Sequence, residues 1–281
     1  MNMRTGYNII FGRVVVLLLA GAAMLAAGGC EGRYIYTVPE QIAPAGGEVP
    51  VVVRLNRSEV GPFAPPLKDA PVQFRIDDGP VRAAYTDKEG YAAAMVPAPA
   101  KEGVYFMSVY TSDKNGRWAC GFTPVYVCDK NRRIVAVDLE TILSHKFGPA
   151  DDAKAALGKV AENANIVYLT KRSPAEYRSI RAGLKARGLP DGALLTWQRQ
   201  YWYVDNTRQI PRMVVEDRLV NQLAGLKQTF PLFDTAICDT DLAARTFVTA
   251  GLQVIVLGSE KVSVSGPKVT LCKTWSELAD K

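Results

Sequence analysis

Between Tyr34 and about Asp129, apolar residues come in short runs separated by polar clusters. The runs "GGEVPVVVRL", "APVQFRI", "PVRAAYT", "YAAAMV", "GVYFMSVYT" and "RWACGFTPVYVC" are rich in Val, Tyr and Phe. Turn-forming clusters such as "DDGP", "DKEG" and "SDKNG" divide them. No helical period of useful length occurs, so this stretch predicts an antiparallel β-sandwich. After "CDKNRR" the pattern changes. "IVAVD", "IVYLT", "ALLTW", "DTAIC", "QVIVLG" and "KVTLCKT" read as strands. Between them, "DDAKAALGKVAENA", "SPAEYRSIRAGLKARG", "EDRLVNQLAGLKQTF" and "DLAARTFVTAG" carry helical spacing, and Ser173, Pro174 and Gly188 punctuate the second as N-cap, first-turn proline and C-terminal glycine. Strands alternating with helices predict an α/β domain: a Rossmann-like parallel sheet with helices on both faces.

The first residues are different again. "RVVVLLLAGAAMLAAGGC" follows a basic start, and Val14 to Ala27 is uninterrupted apolar or small, the pattern of a secretory signal. The ending "LAAGGC" resembles a bacterial lipoprotein signal, which implies lipidation of Cys30 and a membrane anchor there. Glu31 follows in place of the Asp that often retains such proteins at the inner membrane, so the expected location is the outer membrane, facing the periplasm. The expected organisation is a signal over residues 1–29, a β-sandwich over 30–131 and an α/β domain over 132–281. Export permits disulfides among Cys120, Cys128, Cys238 and Cys272, with three connectivities open. Pairing within each half is the simplest. Cys120 and Cys128 meet only if "GFTP" bends the chain, because an extended run holds them about 27 Å apart.

Composition narrows the chemistry. With 48% hydrophobic and 22% charged residues, the 281-residue chain is of globular type. The formal charge of +6 is spread along the sequence with no basic block, and Arg4 and Arg13 belong to the leader. Nucleic acid is therefore not an expected partner. A single histidine, His145, excludes a His-rich zinc site, so chemistry falls to carboxylates. Asp77, Asp78 and Asp87 are expected to serve turns rather than calcium.

Ligands of an open parallel sheet collect outside the carboxyl ends of its strands. Asp138 closes the first expected strand, Thr170 the second, and Asp239 follows "DTAIC", so the pattern alone brings two acids and a hydroxyl to one rim. In the N-terminal half, "PVQFRIDDGPVRAAYTDKEGYAAAMV" resembles bacterial immunoglobulin-like repeats at Thr86, Asp87, Gly90 and Ala92. In the C-terminal half, "IVAVDLETIL", "IVYLTKRSPAEYRSIRAGLKARGLPDGALL" and "FPLFDTAICDTDLAARTFVTAGLQVIVLG" resemble the haloacid dehalogenase superfamily of phosphotransferases, with a lipin-like or phosphatidate phosphatase-like flavour in "RGLPDGALL".

That resemblance implies an aspartyl-phosphate mechanism. Asp138 would be the nucleophile, Glu140 the acid and base, and Thr170 a phosphoryl-binding hydroxyl. The cation would be Lys227 or Arg218, an alternative the spacing leaves open. Asp138, Glu140, Asp239 and Asp241 would hold Mg2+. The expected substrate is a phosphorylated small molecule or a phospholipid. The family's pattern is not fully kept: Glu140 stands where an Asp is usual, and Ala243 where a further acid is common. The extra methylene of Glu140 moves its carboxyl by roughly 1 Å, and such a shift can cost about a hundredfold in rate. The alternative is a catalytically degenerate binding or structural lipoprotein of the cell envelope. The aromatic cluster Trp197, Tyr201, Trp202 and Tyr203 could form an exposed patch near the rim.

Overall fold

A computed structural model describes residues 34–37, 40–57, 66–112, 118–144, 148, 150–172, 176–196, 215–258, 263–264, 266 and 268–279. Cys30, His145, Ser173, Pro174 and the 197–203 aromatics lie outside the described residues.

The N-terminal part is built from two sheets. One has three strands, in the order β1 (Tyr34–Thr37), β3 (Glu48–Arg57), β6 (Tyr91–Pro97). The other has five, in the order β2 (Gln41–Pro44), β8 (Trp118–Cys128), β7 (Gly103–Ser112), β4 (Pro71–Ile76), β5 (Arg82–Tyr85). All pairings are antiparallel except β2 on β8. Alternation explains the layering: Val49, Val51, Val53 and Leu55 of β3 face Val72, Phe74 and Ile76 of β4 and Met107 and Val109 of β7 across one core. The turn before β6 shows what its aspartate does. The Asp87 carboxylate accepts from the backbone N–H of Glu89 at 3.0 Å and of Tyr91 at 2.8 Å. Gly90 completes the turn at φ +80, where an added Cβ would meet the Leu55 carbonyl at 2.6 Å. Asp77 likewise accepts from the Phe106 N–H, so these acids serve the backbone, as expected.

The C-terminal part is a six-stranded sheet in which every pairing is parallel. Its order is β11 (Gly192–Thr196), β10 (Ala164–Thr170), β9 (Arg133–Asp138), β12 (Phe233–Cys238), β13 (Gln253–Leu257), β14 (Val269–Cys272). The helices are α1 (Leu139–Leu143), α2 (Ala150–Asn163), α3 (Tyr177–Ala186), α4 (Val215–Thr229), α5 (Asp241–Thr249) and α6 (Trp275–Ala279). Both faces of the sheet are covered. Ile134 and Ala136 of β9 meet α4 and α5 through Leu219, Leu223, Ala243 and Phe247. Val135 and Val137 meet α2, α3 and α6 through Leu157, Leu184 and Trp275. A strand buried on both faces must be apolar at every step, which is why "IVAV" does not alternate. The chain runs outward from β9 to β11, then returns to place β12 on the other side of β9. That reversal is a topological switch point, and the carboxyl ends of β9 and β12 flank its crevice.

No disulfide joins any two of Cys120, Cys128, Cys238 and Cys272. Cys120 and Cys128 lie in one continuous strand, β8, so the chain does not bend to join them. Cys238 and Cys272 belong to cores on opposite faces of the sheet. Pairing within each half is thereby corrected. Among the described residues no helix is long and apolar enough to cross a membrane.

Candidate functional site

Asp138 is the last residue of β9 and the N-cap of α1, accepting from the Glu140 N–H at 3.2 Å. Its backbone is extended and the next residue is helical, so the carboxyl is turned at the strand end rather than left on the sheet face. Only 2% of the residue is exposed. Burial pushes its carboxyl up to about 6. The Glu140 N–H opposes that shift, the neighbouring Asp239 adds to it, Lys171 opposes it, and Glu140 adds a little more. The same negative pair reaches Cys238, whose thiol is driven up by burial first and by Asp138 and Asp239 next.

Asp239 follows β12, the strand hydrogen-bonded to β9, and accepts from the Thr141 hydroxyl at 3.2 Å. Thr170 closes β10 on the other side of β9, fully buried, with its hydroxyl oxygen accepting from the Arg172 N–H at 3.1 Å. Thr196 closes β11 and donates to the Arg172 carbonyl at 3.2 Å. Asp138, Thr170 and Asp239 therefore share one edge, the arrangement expected from the pattern. Glu140 sits in the first turn of α1, and its two carboxylate oxygens accept from Arg172 Nε at 3.0 Å and Nη2 at 3.2 Å. Arg172 also approaches Glu176 at 3.8 Å. The bidentate geometry holds the Arg172 guanidinium firmly in its charged form.

Two expected members are elsewhere. Lys227 lies in the last turn of α4 and donates to the Gly251 carbonyl at 2.7 Å, just ahead of β13. That is the amino edge of the sheet, opposite to Asp138, because a helix leading into a parallel strand ends where the strand begins. Arg218 falls in the first turn of α4, at the other end, and its side chain lies outside the described residues. Asp241 opens α5 but is turned away. Its carboxylate accepts from the Ser263 N–H and hydroxyl, both at 2.9 Å, and pairs with Arg245. Desolvation, the largest single effect, raises its pKa, but the two Ser263 hydrogen bonds and Arg245 together outweigh it and hold the carboxyl below the usual carboxylate range. The cap of α5 is Thr240, which accepts from the Ala243 N–H. Thus Asp239 is left to the rim and Asp241 to the loop.

The expected four-acid metal set does not gather: among the described residues, no group of three or more His, Cys, Asp or Glu side chains is placed to hold an ion. Asp138 and Asp239 remain as a pair. Lys171, exposed and close enough to act on Asp138, is the cation that sequence spacing missed. Its signal was its place directly after Thr170. Thr141 and Thr196 were also missed, although Thr196 ends a strand already expected in "ALLTW".

No family model and no curated protein matches the sequence. Among solved structures, a carbohydrate acetylesterase from Xanthomonas citri is similar at 16% identity and a TM-score of 0.37, over 88% of this chain and 65% of its own. This chain thus spans less than two thirds of that protein's length. The D00–D0 domain of intimin is similar at 20% identity, TM-score 0.27, over 34% of this chain and 46% of its own. Invasin, a bacterial integrin-binding protein, gives 20%, 0.25, 34% and 19% in the same order. Likenesses this slight transfer neither activity nor site. The resemblance read from the C-terminal motifs is corrected: the acetylesterase, intimin and invasin matches include no haloacid dehalogenase. The motifs there are short, and strand ends with acids and hydroxyls arise in any parallel sheet whose ligands gather at that edge. The structure itself shows a mixed α/β chain with a β-rich N-terminal region.

Proposed function

We propose that the C-terminal domain is a magnesium-dependent phosphohydrolase that acts on a phosphate monoester through an aspartyl-phosphate. The observation that carries this reading is the placement of Asp138, almost wholly buried, beside Asp239 at the two strand ends flanking the switch point. A buried acid with a second acid as neighbour is costly to keep and marks a place where charge is handled. Magnesium commonly takes one or two protein carboxylates and completes its shell with water and phosphate oxygens. Asp138 and Asp239 fit that demand, and no third acid is needed. A bound ion there would screen the repulsion between the attacking carboxylate and the phosphoryl group.

The residues divide the remaining work. The Asp138 carboxylate attacks phosphorus, forming an acyl phosphate as the leaving oxygen departs; water then cleaves the acyl phosphate and returns the carboxylate. Glu140, oriented by Arg172, passes the proton to the leaving oxygen and takes one from the water. Thr170 accepts from the Arg172 N–H and so keeps its own hydrogen to donate to a phosphoryl oxygen. Lys171 and Arg172 bring positive charge to the same edge. The chain is read as exported and anchored through Cys30 to the outer membrane. The immunoglobulin-like N-terminal part acts as a spacer, and a phospholipid or phosphorylated small molecule is the substrate.

One observation favours a second reading. Both Glu140 oxygens are taken by Arg172, which suits a catalytically silent binding or structural lipoprotein of the envelope. Release of phosphate from p-nitrophenyl phosphate and from phosphatidate vesicles, with and without magnesium, separates the two. Magnesium-dependent turnover abolished by Asp138→Asn supports hydrolysis. No phosphate released from either substrate at any magnesium concentration removes it and leaves the binding role.

A further inference from the structure

The two acids at the switch point are held in different ways, and both holds come from one short helix. Asp138 ends β9 and accepts from the Glu140 N–H as the cap of α1. Asp239 has no such place. It lies one residue beyond β12, whose pairing with β9 ends at Ile237 on Val137 and with β13 at Cys238 on Val256. Nor does it cap α5, since Thr240 accepts from the Ala243 N–H there. Neither the sheet nor the following helix therefore fixes its carboxylate. Among the described residues, the contact that does is the Thr141 hydroxyl, which donates to Asp239 Oδ1 at 3.2 Å.

Thr141 stands third in α1 and is 1% exposed, so its hydroxyl needs a partner inside the protein. A helical threonine often donates to the carbonyl four residues back, which here belongs to Val137 of β9. The hydroxyl crosses to the end of the neighbouring strand instead. Its helix is anchored to carry it. Leu139 and Ile142 are buried in the core on one face of the sheet. At the other end, Ser144 donates its N–H to the Glu140 carbonyl at 3.0 Å and its hydroxyl to the Thr141 carbonyl at 3.2 Å. With Oδ1 engaged, Asp239 Oδ2 has no partner among the described residues.

We propose that Thr141 is a positioning residue for a divalent cation shared by Asp138 and Asp239, an inference that rests on the magnesium-dependent reading above. The Thr141 hydroxyl holds Oδ1 of Asp239 against α1 and leaves Oδ2 to the ion. One helix thereby sets both acids, Asp138 through a backbone N–H and Asp239 through a side chain. Groups that hydrogen-bond a ligating side chain fix its orientation, and losing one commonly weakens metal binding by about ten- to a hundredfold.

Calorimetric titration of the full chain with Mg2+, alongside thermal melts, tests this. Thr141→Val keeps the buried volume and removes the donor; it should stay folded and bind Mg2+ at least about tenfold more weakly. Thr141→Ser keeps the donor and should bind nearly as the parent does. Ser144→Ala loosens the end of α1 without touching Asp239 and should leave Mg2+ affinity unchanged. Raising Mg2+ should return phosphate release in Thr141→Val to the parent rate, because affinity rather than chemistry is lost. Mg2+ bound equally by the parent and folded Thr141→Val overturns the assignment and leaves the hydrolase reading standing. Equal weakening in Thr141→Ser or Ser144→Ala also overturns it, since the cause is then the helix. Mg2+ bound by neither parent nor variant removes the assignment and the reading together. Weakening confined to Thr141→Val, in a chain that releases no phosphate, keeps the assignment and removes hydrolysis alone.

Discussion

At the scale of single residues, Asp138 binds a proton more tightly in the folded chain than in the unfolded one. Its folded value of about 6 lies above the ordinary 3.8, so the native state holds the extra proton between those limits. Stability from this group is therefore fully present below about pH 4 and lost as pH rises through about 6. Asp138→Asn keeps an oxygen for the Glu140 N–H and removes the buried charge. The variant should be more stable than the parent at pH 7.5 by up to about 3 kcal/mol, with the gain vanishing near pH 4. Thermal melts across that range check it. If phosphate release is observed, it should rise with pH through about 6 as the nucleophile ionises, and a flat profile would exclude Asp138 from that step. Lys227→Ala should leave phosphate release untouched and lower stability by about 1 kcal/mol through the lost bond to Gly251, which separates this lysine from the rim.

At the scale of elements, the helices and strands are largely readable in the sequence. The 3.6-residue spacing in "DDAKAALGKVAENA" gives α2, and the unbroken apolar run in "IVAVD" gives β9. Gly188 and Gly251 take positive φ beyond the ends of α3 and α5, as helix-terminating glycines do. The short elements were not readable. The five-residue α1 has too few positions to show a period, and its start is fixed by an aspartate that could equally have ended a strand. The cap of α5 is a similar case, because Asp239, Thr240 and Asp241 are all good N-caps and only Thr240 makes the bond. Thr240→Ala should cost about 1 kcal/mol, whereas Thr240→Ser should cost much less, measured by chemical denaturation.

At the scale of the whole molecule, the contact between the two parts is made by charge as well as by apolar packing. Glu40, just before β2, is nearly fully buried. It accepts from the Arg181 guanidinium on α3 and from the Leu194 N–H on β11 at 2.8 Å. Arg181 in turn donates to the Gly192 carbonyl at 2.7 Å. Because β11 is the outer strand of the parallel sheet, this pair occupies backbone groups that would otherwise be open to strand addition. Glu40→Ala should leave the partly buried Arg181 guanidinium with only the Gly192 carbonyl, and the Leu194 N–H without its acceptor, at a cost of about 3 kcal/mol. Hydrogen exchange should then show faster exchange of the Leu194 amide before global unfolding. Unchanged protection there would mean that apolar contacts alone hold the junction.

The sequence by itself determined the change from a β-rich region to alternating strands and helices, since both rest on local periodicity and turn chemistry. It also determined that Asp138, Thr170 and Asp239 share an edge, because a parallel sheet aligns the carboxyl ends of all its strands. Only the tertiary structure decided which neighbours those ends acquire. The return of β12 to the side of β9 set Asp239 against Asp138. Rotation about the start of α5 sent Asp241 to Ser263, and the direction of α4 carried Lys227 to the far edge. Strand order and side-chain direction depend on contacts between residues about a hundred positions apart, such as Thr141 with Asp239, and no short window of sequence contains both partners.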